Sequence, residues 1–195
     1  MRTIMGRNAA SSAACMLPRT SSAMVALMLG VLGASAPPAR AQSPLIVESA
    51  AFAQGAAIPP VHTCEDADTS PPLSWKGVPA SAKTIAMIVD DPDAPRGTWV
   101  HWVIFDLPAN LTRLDAGVAK TATAANGAHQ GVNDFGGLGY NGPCPPPGPP
   151  HHYHFRLFAL DSALNLPSTA TAADLRAASK GHILATGELI GTFGR

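Results

Sequence analysis

The 195-residue chain is formally neutral, with thirteen basic and thirteen acidic residues, but its charge is unevenly placed. Arg2, Arg7, Arg19 and Arg40 precede Gln42 and no acidic residue does, which leaves nine basic against thirteen acidic residues in the rest of the chain. A mildly acidic chain without a basic run is a poor match for nucleic acid or an anionic membrane surface. Prolines and glycines, 19 and 18 in number, recur every few residues and favour short elements over long helices.

In chain order, the first feature is an uncharged apolar run, residues 23–36, behind a region whose only charges are arginines. It ends at Ala39-Arg40-Ala41 and reads as a secretory signal over residues 1–41, cleaved before Gln42. The run is shorter than the roughly 20 apolar residues that cross a bilayer, so a periplasmic or secreted protein with no stable membrane insertion is expected. Residues 42–195 suit one domain, with no internal repeat and no second boundary. Once Cys15 leaves with the signal, Cys64 and Cys144 remain, either as a disulfide closing a loop of about 80 residues or as two separate thiols. Two scattered cysteines with no CxxC or HExxH give no expectation of a metal, and no motif calls for a cofactor.

The elements read as mainly β. Short apolar runs at residues 45–49 and 73–75 lead to residues 84–90, TIAMIVD, whose near-continuous apolar character suits a strand covered on both faces. Residues 99–107, WVHWVIFDL, form the next strand; simple alternation puts Trp99, His101, Val103 and Phe105 on one face and Val100, Trp102 and Ile104 on the other. Residues 120–150, rich in Gly, Ala, Asn and Pro but interrupted by aromatic side chains, read as an ordered binding loop. Strand character returns at residues 154–160. Thr171 followed by Asp174 marks a helix start that Gly181 would stop, and residues 183–193 can close as a strand that Gly187 and Gly191 weaken.

Two segments concentrate ionisable side chains. In Asp90-Asp91-Pro92-Asp93-Ala94-Pro95 the prolines fix the backbone, so Asp91 and Asp93 sit on a stiffened turn beyond the strand, Asp93 chiefly as a turn former. In His151-His152-Tyr153-His154, His151 and Tyr153 are two apart and share a side if extended. With His101 they can donate to an anion, and Asp91 beside an imidazole favours its charged form. The run from Gly142 to Gly148 reads as a pocket wall, or as a polyproline ligand for an aromatic groove.

The segments DDPDAPRGTWVHW, GYNGPCPPPGPPHHYHFRLFALD and GHILATGELIGTFGR resemble the signature segments of the phosphatidylethanolamine-binding protein family, in its bacterial Raf-kinase-inhibitor-like branch. HTCEDADTSPPLSWKGVP resembles that branch too, so the likeness runs from about Ile46 to Arg195. It implies a sandwich of a large and a small antiparallel sheet, one or two short helices near the C-terminus, and an anion pocket at one edge. Ligand-binding residues carried over by the resemblance are Asp91, His101, Gly142, Pro143, His151 and Tyr153. The chain departs from the family pattern at His152, where Arg is usual, and at Glu65-Asp66-Ala67-Asp68, where an acid-Gly pair is usual. A homodimer is implied by the branch alone.

Two functional classes follow. In the first, the exported protein binds a small anion, a phosphate or phosphoester headgroup, and can act as a protein inhibitor or regulator. In the second it is an acid-base hydrolase of phosphoesters or esters using Asp91, His101 and His151. No serine stands in a GxSxG context and Cys144 is set among prolines, so a protein nucleophile beside a base is not evident.

Overall fold

The apolar run at residues 84–90 dictates the architecture, because a strand apolar on every residue must be covered on both faces. A computed structural model gives the result for residues 43–195; the expected signal at residues 1–41, with Cys15, lies outside the described residues. The strands are β1 (Ser43–Pro44), β2 (Ile46–Ser49), β3 (Leu73–Lys76), β4 (Thr84–Asp91), β5 (Trp99–Pro108), β6 (Arg113–Leu114), β7 (His129–Gln130), β8 (His151–Leu160) and β9 (Ile183–Phe193). One α-helix, α1 (Ala172–Ser179), precedes β9, and a 3-10 turn covers Pro60–His62. All eight residues of β4 are buried.

The large sheet has the order β1-β9-β8-β4-β5-β7 and the small one β2-β3-β6. Pairing is antiparallel throughout except for the two-residue β1, which runs parallel to β9 at the edge. This is the expected mainly β sandwich of two sheets. Between the sheets lie Trp75, Ile85, Met87, Val89, Trp102, Ile104, Phe155 and Leu157. On the outer face of the large sheet Ala86, Ile88, Val103 and Phe105 pack with Leu175 of α1. Each such large side chain contributes about 1.5–3 kcal/mol by leaving water.

Asp90 reinforces the docking of α1. It is 1% exposed, and its two oxygens accept from Arg156 Nε of β8 at 3.0 Å and Arg176 Nη2 of α1 at 2.7 Å. The helix starts as its sequence indicates: Thr171 accepts from the Asp174 amide while the Asp174 carboxylate accepts from the Thr171 amide. Gly181, at φ +86°, follows its end. Strand β9 runs unbroken through Gly187 and Gly191, because a side chain at either would collide with Leu45 or Ile58. The glycines that weakened the sequence reading are what let neighbouring chain pack on that strand.

The face assignment for β5 is corrected. Asp90 pairs with Val100 but Val89 pairs with Trp102, so His101 is an extra residue, a β-bulge. Val100, Val103 and Phe105 therefore pack on the α1 side, and His101 turns with Trp102 toward the other face. Alternation failed because it assumes a register with no inserted residue. A second irregularity, between Ile85 and Met87, falls at Asp106, whose φ of +57° lets its carboxylate cap the Leu164 and Asn165 amides. Asp91, expected on the turn, is the last residue of β4 and pairs with Trp99.

The long loop is ordered by two buried amides. Gln130 accepts from Trp102 Nε1 and donates to the Ala119 and Thr121 carbonyls. Asn133 accepts from the Phe135 and Gly137 amides and donates to Gly139 O and Asn141 Oδ1. Cys64 and Cys144 are bonded, Cα–Cα 5.4 Å, across a sequence separation of 80. Around that bridge Gly142 N donates to Asp68, Cys64 N to Pro143 O and Tyr140 Oη to His62 O. Removing the bridge by the paired change Cys64→Ala with Cys144→Ala is expected to lower unfolding free energy by about 4–5 kcal/mol while leaving the fold intact. Urea titration of both proteins checks this; a loss below about 1 kcal/mol would mean that the unfolded chain is already constrained there.

Candidate functional site

Three strand ends converge at one edge of the sandwich: the last residue of β4, the first residues of β5 and the first residues of β8. They bring Asp91, Trp99, His101, His151 and Tyr153 to a cavity of about 400 Å³. Phe135 and the stretch Cys144-Pro145-Pro146 close it from the long loop, and Ala94, Pro95 and Arg96 from the β4–β5 turn. His151 and Tyr153 share a side because β8 begins at His151 rather than at residue 154.

The carboxylate of Asp91 divides its oxygens. Oδ1 accepts from the Asp93 amide at 2.9 Å, which fixes the Pro-rich turn, and Oδ2 accepts from His151 Nδ1 at 2.8 Å. The two side chains are 5% and 13% exposed. Asp91 thus orients His151 rather than His101. His101, 3% exposed, donates through Nδ1 to the Asn141 carbonyl at 2.7 Å and stands edge-on to Tyr153 and Phe135, with ring centroids 5.2 and 5.3 Å away. Burial holds this imidazole below its ordinary pKa, against the opposing pull of the Asn141 carbonyl and the Asp91 charge.

Tyr153 Oη is the one buried side-chain polar atom among the described residues with no hydrogen-bond partner. Burial, and then the nearby Asp91 charge, push its phenol well above the ordinary range, so it keeps its proton. Asp91 acts on it chiefly by its charge and to a lesser degree as a hydrogen-bond partner, without forming a bond of good geometry. A buried hydroxyl at a cavity wall without a well-formed hydrogen bond is a donor that a bound acceptor would satisfy better.

Of the residues carried over by the resemblance, Asp91, His101, His151 and Tyr153 meet at the cavity, whereas Gly142 and Pro143 do not line it. Both are buried behind the wall. Gly142 N donates to Asp68 Oδ1 at 2.6 Å, a side chain at Gly142 would strike His62 and Thr63, and Pro143 O accepts from Cys64 N at 3.1 Å. They form a platform that sets Cys144, Pro145 and Pro146 against the cavity. Asp68, in the segment that departs from the family pattern, sits at φ +52° and also accepts from Lys120 Nζ at 2.7 Å. Asp93 lies at the rim, where it accepts from both the amide and the ring of His152; that pairing lowers its pKa.

Sequence reasoning missed the apolar wall. Trp99 and Phe135 are 37% and 46% exposed, with rings edge-to-face at 5.6 Å. The signal was available in part, since Phe135 stands alone in a Gly/Asn stretch; Trp99 read only as a strand residue. No cluster of three or more His, Cys, Asp or Glu able to hold a metal occurs among the described residues.

Comparison with known proteins agrees with the fold. The family model for phosphatidylethanolamine-binding protein matches residues 48–194. A relative from Methanothermobacter thermautotrophicus, named only as a UPF0098 protein, is 48% identical over 145 residues, 74% of this chain and 95% of its own. One from Pyrococcus abyssi, also a UPF0098 protein, is 44% identical over 154 residues, 77% of this chain and 86% of its own. Among solved structures, a putative phosphatidylethanolamine-binding protein homolog of Chlamydia trachomatis aligns with TM-score 0.72 and 38% identity, covering 78% of this chain and 98% of that one. An Escherichia coli protein described as a new member of the mammalian family aligns with TM-score 0.74 and 34% identity, covering 78% and 99%. The chain belongs to the phosphatidylethanolamine-binding protein family.

Proposed function

We propose that this is an exported protein that binds a small oxyanion, a phosphate or phosphoester headgroup, in the cavity of Asp91, His101, His151 and Tyr153. The observation that carries the reading is Tyr153 Oη, buried in a cavity wall with its proton, beside Asp91 but with no hydrogen bond of good geometry. Leaving such a group unsatisfied costs about 1–3 kcal/mol, which an anion placed against it would offset. His151, fixed by Asp91 through Nδ1, adds a second donor through Nε2 in its charged form. The apolar wall of Trp99 and Phe135 accommodates whatever group carries the anion. A role as inhibitor of a protein target would use the same mouth.

Support for binding over hydrolysis comes from the lining, which holds no serine, threonine or lysine and whose one cysteine, Cys144, is bonded to Cys64. Hydrolysis would have to use water as nucleophile with an imidazole as base. Purified protein releasing phosphate or alcohol from simple esters, with the activity gone in His101→Ala, would favour the enzyme instead.

Tyr153→Phe separates the roles. Deleting the orphaned hydroxyl should raise the stability of the ligand-free protein by about 1–3 kcal/mol and weaken phosphate binding about tenfold. Trp99, exposed at the cavity, reports the titration by fluorescence; equal phosphate affinity in wild type and Tyr153→Phe would sink the assignment of Tyr153 as a donor. His151→Ala should cost at least about tenfold in phosphate affinity, and unchanged affinity there would remove the binding site from this cavity.

A further inference from the structure

The proline run that walls the cavity has little of its own to hold it. Of residues 143–147 all but Cys144 are prolines, so Cys144 carries the only backbone N–H in the stretch, and the run cannot join a strand ladder. It is pinned from outside instead. Cys64 N donates to Pro143 O at 3.1 Å, Arg195 Nε donates to Pro145 O at 2.7 Å, and the Cys64–Cys144 bridge ties the run to the turn that follows Pro60–His62. That turn is an anchor in its own right, because Thr63 Oγ1 donates to Pro60 O at 2.9 Å and Tyr140 Oη to His62 O at 2.8 Å.

Both cysteines are exposed, although Cys144 also lines the cavity. A bridge that solvent reaches is open to attack by a thiolate, and exposed bridges are the ones most readily reduced. Resting on the anion-binding reading above, we infer that the Cys64–Cys144 disulfide is a reducible catch on the cavity wall: a dithiol reductant opens it, the strap 143–147 moves off the cavity, and the bound anion is released.

The exchange runs in two steps. Cys64 is followed by exposed Glu65 and Asp66, which repel an anionic thiolate, whereas Cys144 stands between two uncharged prolines. The first thiolate of the reductant therefore bonds to Cys144 Sγ; the Cys64–Cys144 bond breaks, and its electron pair leaves on Cys64 Sγ, which takes a proton from water. The second thiolate of the reductant then attacks its own sulfur in the mixed disulfide and releases Cys144 Sγ, which is protonated in turn. The dithiol is oxidised to its internal disulfide, and two electrons and two protons reach the protein.

Opening is local. Neither cysteine belongs to a strand, and the side chains between the sheets, among them Trp75, Trp102 and Phe155, lie away from the bridge in sequence and in layer. Prolines stiffen the strap, so it pivots as a piece rather than collapsing into the cavity. The coupling is reciprocal: an anion seated against the wall holds the catch shut by the factor that opening the catch weakens the anion.

Calorimetric titration with inorganic phosphate, on oxidised protein and on protein reduced with dithiothreitol, tests the inference. Reduction should lower phosphate affinity about tenfold while the circular dichroism spectrum stays unchanged. Saturating phosphate should raise the ratio of reduced to oxidised dithiothreitol needed for half-reduction by the same factor. A readout that needs no ligand is the Gly148 amide, which donates to Arg195 O at 3.1 Å just beyond the strap. Its hydrogen exchange should quicken at least about tenfold on reduction, with the Met87 amide in β4 unaffected. The paired change Cys64→Ala with Cys144→Ala should match the reduced protein in phosphate affinity, and the wild-type comparison stands even if that variant folds poorly. Equal phosphate affinity in the two redox states, or a bridge that yields to dithiothreitol only when the protein unfolds, overturns the inference while leaving the anion site in place. Phosphate failing to bind the oxidised protein overturns the anion reading, and the catch then stands or falls on the Gly148 exchange.

Discussion

The cavity depends on one inserted residue. Without the bulge at His101, strict alternation would put the imidazole on the α1 side of the large sheet with Val103 and Phe105, in an apolar layer with no ligand access. With it, two consecutive side chains turn the same way: Trp102 fills the core and His101 reaches the cavity. Everything else at the site is arranged around that displaced ring. The Asn141 carbonyl sets its tautomer, Tyr153 and Phe135 hold its plane, and the Asn133 amide fixes the loop that carries Phe135 and Asn141.

A buried polar cluster of this kind is costly unless each member is satisfied. Most members are. Asp91 uses both oxygens, one on its own turn and one on His151, and Asp90 is held between two guanidiniums on the opposite face of the same strand. Adjacent aspartates at the end of β4 thus do different work because successive residues face opposite sides: Asp90 fastens the helix and Asp91 builds the site. The exception is Tyr153 Oη, and the imbalance is local to the cavity. Stability given up at a single hydroxyl, inside a frame tied by the Cys64–Cys144 bridge and the Gly142–Asp68 bond, is what the proposed binding requires of a preorganised cavity.

Much of this was legible in the sequence, and the limits have physical reasons. The strand at residues 84–90 and its two-sided burial followed from composition, and the helix start from the Thr171–Asp174 pair. His151 and Tyr153 on one side followed from period-two geometry. Local pattern could not show the bulge, because an inserted residue is defined only by the partner strand's register. Nor could it show which imidazole Asp91 would hold, since β4 meets the start of β8 across 60 residues of chain. Gly142 and Pro143 were placed in the pocket by resemblance; three-dimensional packing puts them one layer behind it. Trp99 and Phe135, far apart in sequence, became a wall only when the loop folded back over β5.

The family likeness establishes the fold and leaves the ligand to chemistry. A crystal structure of the protein with inorganic phosphate is the most direct measurement. The expected result is one tetrahedral anion with oxygens about 2.5–3.0 Å from Tyr153 Oη, His101 Nε2 and His151 Nε2. An anion found instead at the Arg156 and Arg176 face, with the cavity holding only water, would contradict it.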